Sequence, residues 1–353
     1  MSLFFFIAAY FTPPSIDRKG GFAFLVDRFK RLGIPCVLYF FLVSPALTAF
    51  VDATVTGREP TWIPGAGPPW FVAWLLIFSV AYSLLGTKGY SGAQNANFVM
   101  ARPNIVILCI IGAALGVLQG VQLLFPLFVY MPITFGSLPF DVAFFTAGII
   151  ARRNSWLDMP LLPWESRIAK VVCATFAIAL TAALLAIESQ GGGMLLLSTN
   201  ACGDSPSRSL SGSSFNAAVA FTGVVCVAGG VYAVCISLVL IDWFRAHCEA
   251  RGRWSSFLAQ NAYAVYVMHP IVVIPATAAF IVVIRVAKGD GAMRTWGDIN
   301  GIPVVDSVDC VSTNGYDAPV LLAGLLVASV TSLVVIYPLA HIVRRLPGLS
   351  QIL

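Results

Sequence analysis

The densest group of reactive side chains lies in Gln260-Asn-Ala-Tyr-Ala-Val-Tyr-Val-Met-His-Pro270. Tyr263, Tyr266 and His269 recur every third residue, so on a helix they fan over one broad face. A histidine in such a place can act as a general base or as a hydrogen-bond donor. Pro270 weakens the backbone bonding beside it, as at many functional kinks in membrane helices. The alternative is a packed histidine satisfied by a neighbouring carbonyl. A second group is cationic. Between Ser15 and Pro35 stand Arg18, Lys19, Arg28, Lys30 and Arg31, interleaved with Phe22, Phe24, Leu25, Phe29 and Leu32 at roughly helical spacing. That pattern predicts a short interfacial amphipathic helix. Guanidinium forks there suit bidentate contact with the phosphates of a nucleotide-like donor. The competing reading is that these cations fix topology and touch lipid head groups.

Other chemistry is poorly represented. The sequence has no phosphate-cradling GxxxxGK[ST], no GxSxG turn, no HExxH and no Cys-x-x-Cys. Its three histidines, His247, His269 and His341, are far apart, so no metal site is expected. Gln119 and Gln122 read as residues bonding across helices. Asp141 is equally compatible with a functional role and with solvation near a helix end. Gly67-Pro-Pro-Trp-Phe reads as a helix start with an aromatic anchor.

These residues must be positioned by an apolar scaffold. Of 353 residues, 58% are hydrophobic and only 10% are charged, against about 25% charged in soluble domains. This excludes a water-soluble fold and disorder, and a net charge of +5 spread between apolar runs argues against nucleic-acid binding. The expected fold is an all-α polytopic membrane protein with about nine transmembrane helices. The candidate spans are Ser2–Phe11, Ile34–Phe50, Pro69–Leu85, Ile105–Phe125, Ile133–Ala151, Ala169–Ile187, Ala217–Ile241, Phe257–Ile284 and Val320–His341. Most of the 21 Lys and Arg fall in alternate connections and in the tail, which predicts a cytoplasmic C-terminus and an outward Met1. Residues 189–215 and 286–319 are then extracytoplasmic loops. Cys202 and Cys310 lie in these loops, where a disulfide is permitted; two unpaired thiols are the alternative. The other six cysteines read as small apolar fillers.

Taken in order, several segments resemble the acyltransferase 3 family of multi-pass membrane O-acyltransferases, which includes glucan-succinylating proteins. They are Leu3-Phe-Phe-Phe, Tyr10-Phe-Thr, Arg18-Lys-Gly, Asp27-Arg-Phe-Lys-Arg-Leu-Gly-Ile-Pro35, Gly67-Pro-Pro-Trp-Phe and Phe144-Phe-Thr-Ala-Gly-Ile-Ile-Ala-Arg-Arg-Asn-Ser-Trp-Leu157. Asn261 to Pro270 and Arg344-Arg-Leu-Pro-Gly complete the series, so the resemblance covers nearly the whole chain as a single domain, 1–353.

The resemblance implies transfer of an acyl group from a thioester, acyl-CoA, to a hydroxyl of an extracytoplasmic acceptor, commonly a glycan. It implies no bound cofactor and no partners beyond donor, acceptor and membrane lipids; the sequence carries no signal for an oligomeric state. Arg28 and Arg31, with Arg18 and Tyr266, are the implied substrate-binding residues, and His269 has an implied supporting catalytic role. The family's first helix, with its histidine and arginine, is expected to be missing here, since the sequence opens where the second begins. Ala8-Ala9 replaces the family's Ser-Gly, and the 286–319 loop is long. The alternative function is a catalytically inactive member, or a transporter-like protein that binds an acyl carrier, lipid or glycan.

Overall fold

The computed structural model describes residues 1–57, 59–65, 67–86, 100–124, 137–189, 212–247, 252–287 and 318–346. Among these, the regular structure is helical, as apolar surroundings demand when every backbone N–H and C=O must be satisfied internally. We number the helices α1 (Ser2–Tyr10), α2 (Thr12–Lys19), α3 (Gly21–Val55), α4 (Trp70–Ala81), α5 (Ile105–Leu124), α6 (Leu138–Arg153), α7 (Pro163–Ser189), α8 (Gly212–His247), α9 (Arg253–Ala287) and α10 (Ala318–Arg345). Each expected span has a helix, and among the described residues six are long and apolar enough to cross a bilayer: α3, α5, α7, α8, α9 and α10. Helices α1, α4 and α6 are shorter. Of the segments expected as extracytoplasmic loops, residues 190–211 and 288–317 lie outside the described residues, and with them Cys202 and Cys310.

One expectation is corrected. The basic segment before Ile34 is not a separate interfacial helix: Arg18 and Lys19 end α2, and from Gly21 onward it is the first part of α3, which runs unbroken from Gly21 to Val55 through π-turns at Phe29–Gly33 and Tyr39–Val43. Pro35 and Pro45 explain the irregularity, because each withholds the N–H that a regular helix needs. The amphipathic pattern is nonetheless real: Phe24 and Leu32 are buried, while Phe22 and Phe29 are exposed.

The helices cluster into two compact units. In their described parts, one holds residues 1–26, 74–189 and 212–247. Here α1 lies against α6 so closely that a Cβ at Gly148 would overlap the Phe6 carbonyl. Phe78 binds the layer together, its ring centroid 5.5 Å from Phe5, 5.5 Å from Trp74 and 5.3 Å from Phe145. Helix α5 meets α8 through Gly112, Gly116 and Gly230, whose missing side chains let the two backbones touch. Ile105, Ala169 and Cys235 form a small core beside them, with Cys109 and Cys173 packed against it as thiols. The other unit holds residues 27–73, 252–287 and 318–346, and carries most of the sequence's candidate chemistry.

Candidate functional site

The site begins with a proline. In α9, Pro270 has no N–H to give to the carbonyl four residues earlier, that of Tyr266. The His269 side chain fills the gap: its Nδ1 lies 2.6 Å from the Tyr266 carbonyl oxygen. A carbonyl can only accept, so Nδ1 is the donor. The neighbouring-carbonyl reading thus accounts for one ring nitrogen. His269 is half-buried, and its ring centroid is 5.8 Å from that of Tyr266.

Tyr266 in turn points its hydroxyl at the Pro68 carbonyl, donating a short hydrogen bond. Its ring meets Phe71 edge-on at 5.9 Å. The Gly67-Pro68-Pro69 turn leads into α4 as expected, and it is shaped by Tyr39. Gly67 adopts φ +45°, a left-handed conformation that suits glycine. A Cβ there would sit 2.6 Å from the Tyr39 ring. Cys36 Sγ donates to the Pro69 carbonyl at 3.8 Å. So Cys36 and Tyr39 of α3, the Gly67–Pro69 turn and Tyr266 of α9 form one contact set inside a single unit.

The same unit ties the donor-binding candidates to α9. Pro35 deprives the Arg31 carbonyl of its regular i+4 donor, and the Tyr263 hydroxyl supplies one at 2.6 Å. Arg31 is exposed and its Nε pairs with Asp27 at 3.2 Å, a pairing along the helix that leaves the guanidinium within reach of solvent. Arg28 is half-buried, three residues earlier on the same helix. Of the residues singled out from the sequence, Arg28, Arg31, Tyr266 and His269 therefore belong to one unit. Arg18 belongs to the other, exposed in the last turn of α2. An open recess of about 410 Å³ lies against Ser255, Ser256, Ala259 and Gln260 at the start of α9. Among the described residues its lining comes from that helix alone and takes in none of the predicted site residues.

The first unit holds charged networks that the sequence reading missed. Arg153 donates to both carboxylate oxygens of Asp17, at 2.7 and 3.0 Å, and to the Tyr82 hydroxyl at 3.2 Å. Burial works to lower its pKa; the bonds to Asp17 and Tyr82 outweigh it and hold the guanidinium above its ordinary value. Arg152 lies over the Tyr10 ring, 5.2 Å from the centroid. Glu165, 2% exposed, accepts from Arg102 Nη2 at 2.5 Å and from the backbone N–H groups of Ile105 and Leu162 at 3.3 and 3.1 Å. It thus anchors the starts of α5 and α7. Its position in the first turn of α7 was the available signal, since acids there pair with free N–H groups. Asp141 is fully buried, which excludes simple solvation; Ser137 Oγ donates to it at 2.7 Å.

Six helices of this length and hydropathy among the described residues, with many large apolar side chains exposed on them, define a polytopic membrane protein. Its family is equally plain: the model of the acyltransferase 3 family, described as an acyltransferase domain, matches residues 1–340, and the chain belongs to that family. The match spans both units. No curated protein and no solved structure matches the chain.

Proposed function

We propose that this membrane acyltransferase moves an acyl group from acyl-CoA to a hydroxyl of an extracytoplasmic acceptor, a glycan by family resemblance. The hydroxyl oxygen attacks the thioester carbonyl carbon, a C–O bond forms, the C–S bond breaks, and the hydroxyl proton ends on the departing thiolate. A hydroxyl is a weak nucleophile, so the step needs a group that takes its proton during attack. In this reading His269 receives the hydroxyl's hydrogen bond. Arg28 and Arg31 engage donor phosphates, and Tyr266 lines the acceptor side. The C-terminus is cytoplasmic, which puts the basic loop on the side where CoA thioesters are found.

The single observation that supports this reading best is the contact set around His269. A histidine with one nitrogen anchored lies beside a tyrosine fixed to the Gly67–Pro69 turn, on the helix whose Tyr263 holds the backbone of Arg31. The test is acceptor-dependent release of free CoA by the purified protein in proteoliposomes. Release that needs both a thioester and a hydroxyl acceptor supports the proposal. Thioester binding without release, in any acceptor, would favour the inactive-member alternative.

A further inference from the structure

The Tyr266 carbonyl, Pro270 and His269 form a small device whose consequence reaches past packing. An α-helix satisfies the carbonyl of residue i with the N–H of residue i+4. Pro270 cannot supply that N–H, so the Tyr266 carbonyl keeps lone-pair capacity that a buried stretch of helix must satisfy. His269 Nδ1 approaches it at 2.6 Å. Because the partner is a pure acceptor, the proton on a neutral His269 must sit on Nδ1, and Nε2 must carry the lone pair. Metal-binding and catalytic histidines have their tautomer set by the same logic, through the bond made by the other nitrogen.

We propose that Pro270 is a positioning residue: by freeing the Tyr266 carbonyl it locks His269 in the Nδ1–H tautomer and presents Nε2 as the acceptor for the substrate hydroxyl. This rests on the proposed acyl transfer, and it specifies which nitrogen serves and why. The bond that holds the ring lies within its own helix, so the device is intrinsic to the His-Pro order at 269 and 270. Reversing the two residues would abolish it.

The experiment is ¹⁵N NMR of the full chain in lipid nanodiscs with ¹⁵N-labelled histidine, the His269 signals being assigned by their loss in His269→Asn. With the pH raised until the imidazolium form is gone, the neutral ring in the wild-type spectrum should show Nδ1 protonated and Nε2 bare. A neutral ring with its proton on Nε2 overturns the proposal without requiring any variant to fold. In Pro270→Ala the restored N–H competes for the Tyr266 carbonyl, so the signals should move toward the Nε2–H tautomer or a mixture; an unchanged tautomer also overturns it. His269→Asn keeps a donor where Nδ1 stands but removes Nε2, and should lower transfer by roughly 10²–10⁴-fold with the helix intact. Transfer at the parental rate in that variant contradicts the role given to Nε2. The Nδ1–H tautomer in a protein without any thioester-dependent transfer would leave the tautomer lock standing and defeat the functional reading. The reverse pattern would defeat the lock alone.

Discussion

The hydroxyl of Tyr263 donates to the backbone carbonyl of Arg31 at 2.6 Å, joining residues 232 positions apart. The bond exists because Pro35, four residues after Arg31, has no N–H to offer. The same thing happens in α9, where Pro270 frees the Tyr266 carbonyl and His269 takes it. Two prolines thus open two backbone acceptors, and two side chains of one helix close them. The segment carrying Arg28 and Arg31 is thus fixed to the helix carrying His269 through the main chain of Arg31.

Tyr263→Phe removes this tie and leaves the Arg31 carbonyl short of a donor. The bond is solvent-exposed, so the expected loss is the net worth of one hydrogen bond, about 0.5–1.5 kcal/mol of stability. A rise in KM for the donor should accompany it, at nearly unchanged kcat. Thermal melting in detergent together with acyl-CoA titration checks both. An unchanged melting temperature would mean that the bond contributes nothing.

Replacing Arg28 and Arg31 together by Ala should weaken acyl-CoA binding several-fold while leaving membrane insertion intact. Because Arg31 is exposed, its share should shrink as salt is raised. Titration at two ionic strengths measures this. Equal affinities for parent and variant at low salt would return these residues to a purely topological role.

Gly67→Ala faces two penalties, the left-handed φ of +45° and overlap with the Tyr39 ring. Left-handed backbone costs about 1–2 kcal/mol for a residue with a Cβ, and the overlap adds to it. Pairing the change with Tyr39→Ala opens space but not the dihedral, so stability should return only in part beyond the cost of Tyr39→Ala alone. A double-mutant cycle on melting temperatures reads the coupling, and strict additivity would deny the contact.

Glu165→Ala would strand the Arg102 guanidinium and two backbone N–H groups. Breaking one side of a buried pair costs about 3–5 kcal/mol, enough to cut folded yield sharply. Glu165→Gln keeps the shape and one acceptor oxygen and should recover part of it. Fluorescence-detected size exclusion of both variants tests the order parent, Gln, Ala.

The helices were legible in the sequence because lipid leaves the backbone few options. The run expected at Ile105–Phe125 is a helix at Ile105–Leu124, and the last at Val320–His341 lies within Ala318–Arg345. His269 beside Pro270 was visible as a motif, yet spacing alone gave the face and not the partner. That the partner is the Tyr266 carbonyl follows once helical bonding is traced through the proline. The Tyr263–Arg31 bond was hidden, since no local pattern reports on a contact between distant helices. The merging of the basic segment into α3 was missed because its charges suggested an interface, whereas Gly33 and Pro35 are accommodated by a π-turn. The glycine contact of α5 with α8 could have been found: Gly112, Gly116 and Gly120 recur every fourth residue, the spacing that brings membrane helices together. Arg153–Asp17 offered no such signal.

The central claim is tested most directly by acceptor-dependent release of CoA from acyl-CoA, measured side by side for the parent protein and His269→Asn in proteoliposomes. The account predicts release by the parent and a fall of roughly 10²–10⁴-fold in the variant, with both proteins equally folded. Equal rates in the two, or no acceptor-dependent release by the parent, would contradict it.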